Sequence, residues 1–157
     1  MGENYLDHVV INVKDDMDLA QLVFSNLGFT LTPRGYHTLG SINHLMMFGS
    51  DYMELIGFPE HGVANNPNAR PDLTTAPFGI NGLVFKSSDV DKTFEKLVEL
   101  EMDGDPPKSF SRPVELDGRK TDAKFRTVTV RAGVFPEGRV YFCAVSYTHL
   151  RAHETVL

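Results

Sequence analysis

The sequence predicts an α+β protein made of two βαβββ modules. Three observations carry that prediction. Residues 6–13 form a short strand-like run with a helical stretch straight after it. The same strand-then-helix unit returns 73 residues later, at residues 81–86 and 90–98. Strand-like runs separated by turn signals follow each unit, which reads as a duplicated module.

In the first strand, Val9, Ile11 and Val13 share one face and His8, Val10 and Asn12 the other. The first set is apolar and β-branched and is expected to pack on a helix. The second places an imidazole on a half-polar surface. Asp15, with Asp18 three residues on, reads as a helix cap. Leu19, Leu22, Val23 and Leu27 recur at helical spacing, and Gly28 stops the run. Residues 29–32, 41–48 and 51–58 read as strands, with a tight hairpin at Gly49-Ser50 between the last two. Residues 59–77 hold four prolines and read as a linker or long surface loop.

The second module repeats the order. Ser88 and Asp91 stand where Asp15 and Asp18 stood, and Val90, Phe94, Leu97 and Val98 make its helical stripe. Residues 108–116 read as a strand, which Pro113 confines to a sheet edge. Asp117-Gly118 marks a turn, residues 125–131 alternate as a strand, and a last strand begins at residues 139–143.

A chain of 157 residues can bury one proper core, and 41% hydrophobic content is ordinary for a globular protein. No apolar run approaches the ~20 residues of a membrane helix. The first residues show no basic-then-apolar leader. A single cysteine, Cys143, allows no internal disulfide and suits a reducing cytoplasm. It reads as a small buried apolar residue, since nothing near it in sequence offers a base. Net charge is −6 with Lys and Arg scattered, which argues against nucleic acid and anionic membranes as partners. A small-molecule substrate is the expected partner, with a homodimer or a missing second domain left open.

These residues carry a resemblance. Two βαβββ modules, Leu-Asp-His-Val-Val-Ile around His8 and Tyr-Met-Glu-Leu-Ile around Glu54 resemble the vicinal oxygen chelate superfamily. Residues 31–35, 43–45, 48–52 and 110–114 are similar to its glyoxalase-like domain proteins. The resemblance covers residues 5–143. It implies curved mixed sheets forming a cleft, with modules at residues 5–58 and 78–143. It also implies a divalent metal ion held from the first and fourth strands of each module. His8 and Glu54 match the two positions of the first module. An imidazole and a carboxylate do not select the metal. The third position falls at Asn81, or at Gly82 if no gap stands at the helix cap. The fourth falls at or just after Cys143, so the second module reads as truncated at its last strand.

Glu54 is also the candidate catalytic residue, as ligand or general base. Arg34, His37, Asn43, His44 and Arg112 form the candidate substrate-binding set, the arginines suiting a carboxylate or phosphate. Asn43 and His44 are adjacent on one strand and face opposite sides. A two-residue hairpin loop puts Asn43 on the Glu54 face and a three-residue loop puts His44 there. The implied function is a metal-dependent lyase, isomerase or dioxygenase acting on a small oxygen-rich substrate. The alternative is a metal-free binding protein of the same fold that sequesters small molecules. Residues 144–157 do not continue the family pattern and resemble translated sequencing-adapter read-through. They are expected to be a non-native tail, so the four-residue spacing of His149 and His153 is given no metal role.

Overall fold

The computed structural model describes residues 5–37, 40–59, 70–116 and 119–146. Their elements are β1 (Leu6–Lys14), α1 (Met17–Asn26), β2 (Gly35–Tyr36), β3 (Ile42–Phe48) and β4 (Asp51–Gly57), then a short α2 (Pro71–Thr74). β5 (Gly79–Lys86), α3 (Val90–Glu99), β6 (Lys108–Leu116), β7 (Arg119–Thr129) and β8 (Arg139–Ser146) follow. The fold is α+β with the βαβββ order twice. It forms two compact units, one of residues 8–81 and one of residues 82 onward together with residues 5–7.

In the first unit the strand order is β2-β3-β4-β1, with β1 parallel to β4 and β3 antiparallel to it. Alternation sends Val13, Ile42, Met46 and Leu55 to the side covered by α1, where they bury with Met17 against Ile11, Ala20, Phe24 and Met53. Residues 29–32 are not a strand. Thr32 ties that segment to β3 at one point, its N–H donating to the Leu45 carbonyl at 2.9 Å and its hydroxyl accepting the Leu45 N–H at 2.9 Å, and Pro33 has no N–H to extend a ladder.

The buried face of α1 is Met17, Ala20 and Phe24, not the leucine stripe. Leu19, Leu22, Val23 and Leu27 face solvent, with Leu22 58% exposed. Two apolar stripes satisfy helical spacing here, and the entry of the chain from β1 turns Met17 inward. The cap also differs. Asp16 takes the N-cap position with no side-chain cap bond, and the Asp18 carboxylate pairs with Arg34 instead. On α3 the cap is Asp89, which accepts the Lys92 N–H at 3.1 Å.

α2 lies inside the stretch read as a linker. Pro71 stands in its first turn, and Leu73 is fully buried. Asn12, also fully buried, donates from Nδ2 to the Leu73 carbonyl at 2.9 Å.

In the second unit the order is β5-β8-β7-β6, with β5 parallel to β8 and β6 at the edge as Pro113 requires. Val90 and Leu97 of α3 bury against Val128 and Val130, with Phe94, Val140, Phe142 and Ala144 packed around them, while Val98 stays exposed. β8 has eight residues and runs to Ser146, which pairs with Lys124. It therefore extends three residues past Cys143, into the stretch read as tail, because the β7 ladder and the packing of Ala144 continue there. Residues 147–157 and the Asp117-Gly118 turn lie outside the described residues.

The two copies are offset differently in helix and strand. Both ends of α1 recur 73 positions on, Met17 at Val90 and Asn26 at Glu99. In the strands the offset is 74. Val10 and Val84 are both fully buried; their ladder partners are Glu54 and Tyr141. On the helix side, Ile11 pairs with Leu55 and Phe85 with Phe142. The difference is one extra residue in the first copy. The β1–β4 ladder slips between Asn12 and Lys14, and Lys14 takes a φ of +50°. No such slip is present in the β5–β8 ladder, whose pairing runs evenly from Gly82 to Lys86.

Leu55→Ala should cost about 2–5 kcal/mol, as large-to-small core changes do. Leu22→Glu on the exposed face of α1 should stay within about 0.5 kcal/mol. Denaturant unfolding of both variants checks the assignment of the α1 faces. Arg126 grips Asp91 with two hydrogen bonds of 2.7 and 2.8 Å, and this bonding holds the Asp91 carboxyl below the usual carboxylate range. A lowered folded pKa stabilises above the ordinary aspartate pKa and is lost as pH falls through the lowered one. The stability difference between wild type and Asp91→Asn should therefore be present at neutral pH and vanish in strong acid.

Candidate functional site

Glu54 is 7% exposed on a central strand of its unit, so its charge must be met by the protein or a ligand. The parallel β1–β4 register sets Tyr52 beside His8 and Glu54 beside Val10. Strand alternation keeps His8, Val10, Tyr52 and Glu54 on one face, the face away from α1. The Tyr52 ring stacks on the imidazole with centroids 4.4 Å apart and planes 11° apart, which fixes the ring. His8 is 4% exposed, and its Nε2 stands 3.5 Å from Glu54 Oε2.

The β3–β4 hairpin decides between Asn43 and His44. Gly49, at a φ of +85°, and Ser50 form a two-residue loop, and Leu45 pairs with Glu54. Asn43 is thus on the Glu54 face, and its Nδ2 donates to Glu54 Oε1 at 2.7 Å. Gly35 of β2 pairs with Asn43, and a Cβ there would collide with Asn43 Oδ1. The carboxylate is therefore held on one oxygen by Asn43 and faces His8 with the other.

The other expected substrate-binding residues are placed elsewhere. His44 is buried on the α1 side. Its Nδ1 donates to the Thr32 carbonyl at 2.7 Å and its Nε2 accepts from Arg34 Nε at 3.2 Å, which fixes one tautomer of a neutral ring. Arg34 also reaches Asp18 and Gln21, so its guanidinium binds the helix to the sheet. His37 Nδ1 is 2.7 Å from Ser41 Oγ, in the turn leading into β3. Arg112, on β6, pairs in register with Ala123 of β7, and its side chain lies outside the described set. Of the four whose side chains are described, Asn43 is the one with a hydrogen bond to Glu54.

Three contributors escaped the sequence reading. Tyr52 was legible, since it stands two residues before Glu54 on the same strand. Gly35 was not, because its role depends on the strand pairing. Arg70 was hidden in the proline-rich stretch; it donates from Nη1 to Ser41 Oγ at 3.2 Å and pairs with Asp72 through two bonds of 2.9 and 2.8 Å.

The strand offset of 74 identifies what the second unit carries at the matching positions. Gly82 replaces His8, Arg139 replaces Tyr52, Tyr141 replaces Glu54 and Thr127 replaces Asn43. On this offset the third expected ligand position falls at Gly82, the alternative to Asn81, and the fourth at Tyr141, two residues before the expected place at or just after Cys143. Asn81 matches Asp7. It is 4% exposed, and neither of its amide atoms has a hydrogen-bond partner among the described residues.

Two ligand bonds of about 2.1 Å at a tetrahedral angle put their donors roughly 3.4 Å apart. The His8–Glu54 spacing of 3.5 Å fits one ion between Nε2 and Oε2. Among the described residues no group of three His, Cys, Asp or Glu side chains gathers to complete such a site.

The βαβββ order, present twice, is that of the vicinal oxygen chelate fold. The chain belongs to the Glyoxalase-like domain family, whose model matches residues 6–155. A search of curated proteins gave no match. Among solved structures, a hypothetical protein from Staphylococcus aureus is similar at TM-score 0.72 and 15% identity, over 93% of this chain and 60% of that one. The chain thus spans about 60% of that protein's length. A hypothetical protein from Bacillus halodurans matches at TM-score 0.67 and 15% identity, over 96% of this chain and 100% of that one. Methylmalonyl-CoA epimerase in complex with methylmalonyl-CoA and NH4+ matches at TM-score 0.62 and 14% identity, over 91% and 95%. No helix among the described residues is long and apolar enough to cross a membrane.

Asn43→Ala should leave Glu54 Oε1 without its donor and cost about 1–3 kcal/mol. Gly35→Ala should cost stability by displacing the same amide, and the two losses should not add, because both act on one contact. Thermal unfolding of the single and double variants measures this.

Proposed function

We propose that the protein is a metal-dependent enzyme that moves a proton on a small, oxygen-rich substrate. The observation that supports it most is the buried His8–Glu54 pair at ion-spanning distance. The epimerase likeness supports isomerase-type proton transfer over dioxygen chemistry.

His8 Nε2 and Glu54 Oε2 would hold the divalent ion, which when bound acts as a Lewis acid toward adjacent substrate oxygens. Asn43 does two things for Glu54. Its N–H bond orients the carboxylate, and it occupies Oε1 so that Oε2 is the oxygen presented to a ligand. Tyr52 holds the imidazole plane so that Nε2 faces Oε2. Burial of both groups excludes bulk water, which strengthens every charge interaction in the site. As a carboxylate, Glu54 can also take a proton from the substrate at Oε2.

A second reading, a metal-free binding protein, is favoured by one observation. The second unit offers Gly82 and Tyr141 where a full ligand set would need imidazole or carboxylate.

Titration calorimetry with Mn2+ and Zn2+ separates the two. Wild type should bind one ion weakly, since two protein ligands leave much of the coordination sphere to water. His8→Ala and Glu54→Gln should abolish the heat. Asn43→Ala should weaken binding by about 10–100-fold, as loss of a group that orients a ligand does. Binding unchanged in His8→Ala contradicts the proposed site, and no binding in wild type replaces the enzyme reading with the binding-protein reading.

A further inference from the structure

The segment before β2 is tied to the rest of its unit through one side chain. Arg34 donates from Nε to His44 Nε2 at 3.2 Å, and from Nη2 to Gln21 Oε1 at 3.2 Å and to the Asp18 carboxylate. Its neighbour Gly35 pairs with Asn43, and β2 is only two residues long. A strand that short has few ladder bonds of its own, so its seat on β3 depends on what holds the chain beside it. Gly35 in turn packs on the Asn43 amide, where a Cβ would collide with Oδ1. Nδ2 of the same amide donates to Glu54 Oε1. A line of contacts thus runs from His44 through Arg34, Gly35 and Asn43 to the carboxylate, all within the first unit.

His44 can hold Arg34 in one protonation state. Its Nδ1 donates to the Thr32 carbonyl, so Nε2 accepts from Arg34 only while the ring is neutral. An added proton would sit on Nε2 and face a guanidinium that keeps its own proton. Two cations would then stand side by side at a ring that is 2% exposed. Asp18 holds Arg34 from the solvent side, with 84% of its side chain exposed, and gives the guanidinium a place to go. The other groups around the ring do not offset the charge. Ile11, Ile42, Met46, Met53 and Leu55, in the α1-side core, are apolar. Asp15 and Asp16 precede α1 and are exposed, and Asp51 pairs with Phe48, four residues along β3 from His44.

We propose that Arg34 is a positioning residue of the Glu54 site and that it acts only while His44 is neutral. With the ring neutral, Arg34 keeps β2 seated and Asn43 aimed at Oε1. With the ring charged, Arg34 leaves, Gly35 moves off the Asn43 amide, and Glu54 loses its oriented donor. The histidine is a proton-sensitive switch on that contact. What the switch does for a bound cation rests on the proposed metal reading; the coupling of His44 to the Asn43–Glu54 bond does not.

The test is 1H–15N NMR of the whole chain with no metal added. The His44 ring nitrogens and the Asn43 side-chain amide are followed as the pH is lowered. Part of the Asn43 shift should track the His44 transition, in wild type and in His8→Ala alike. His44→Gln has an Oε1 that can accept from Arg34 and no charge to gain. It should lose that part of the shift and keep any part that comes from Glu54 itself. Arg34→Met should put the Asn43 resonance near its acid position already at mildly alkaline pH. If His44→Gln does not fold, Arg34→Met decides alone, since the arginine side chain is 27% exposed and lies outside the core. The proposal is overturned if the Asn43 signal ignores the His44 transition or if Arg34→Met leaves it where wild type has it. It is also overturned if His44 stays neutral until the chain unfolds. Calorimetric titration with Mn2+ at mildly alkaline pH is read separately. Arg34→Met should weaken binding by up to about tenfold, as loss of a supporting contact does. A wild type that binds no Mn2+ removes the metal reading and leaves the NMR result standing.

Discussion

The hydrogen bond from Asn43 to Glu54 is the contact on which the first unit's polar face depends. A carboxylate at that depth needs a donor, and Asn43 reaches it because the Gly49-Ser50 loop sets the β3–β4 register. Asn43 needs room in turn, and β2 supplies it with a glycine. A slip of one residue in that hairpin would put His44 on the Glu54 face and Asn43 among the core side chains. The polar face and the α1-side core are therefore set by the same register.

The duplication is exact in the helices and one residue out in the strands. The extra residue is absorbed at Lys14, where the ladder slips and the backbone turns left-handed. The consequence is chemical. With the slip counted, Gly82 and Tyr141 match His8 and Glu54, so the two halves carry different chemistry on one scaffold. The first has an imidazole and a carboxylate, His8 and Glu54, on its polar face. The second has Gly82 and Tyr141 at the matching positions. The sharing of a fold with an epimerase does not require this division, since function resides in the site and not in the fold.

Much of the architecture was legible. Strand alternation and the repeat gave both modules, the edge position of the Pro113 strand, and His8 and Glu54 on their strands. The leucine stripe of α1 misled because a helix with apolar residues all round has no preferred face by spacing. The repeat held the answer. Leu19, Leu22 and Val23 correspond to Lys92, Glu95 and Lys96 on α3, which must face water, while Met17 corresponds to the buried Val90. Placing the third ligand position required the slip at Lys14, and a positive φ at a lysine leaves no mark in sequence. Arg34 was a candidate because a guanidinium suits a substrate carboxylate or phosphate, and His44 because a three-residue hairpin loop would have put it on the Glu54 face. The bond between them shows that they join the segment before β2 to β3 and, through Asp18, to α1. Ser41 and Arg70 are 29 residues apart, and no local pattern pairs them.

The claim that His8 and Glu54 form one cation site is tested most directly by anomalous diffraction from a crystal grown with Mn2+. The account predicts a peak within about 2.3 Å of both His8 Nε2 and Glu54 Oε2, with Asn43 still bonded to Oε1. A well-occupied peak elsewhere in the molecule, or an Mn2+-saturated crystal with none between these two atoms, would contradict it.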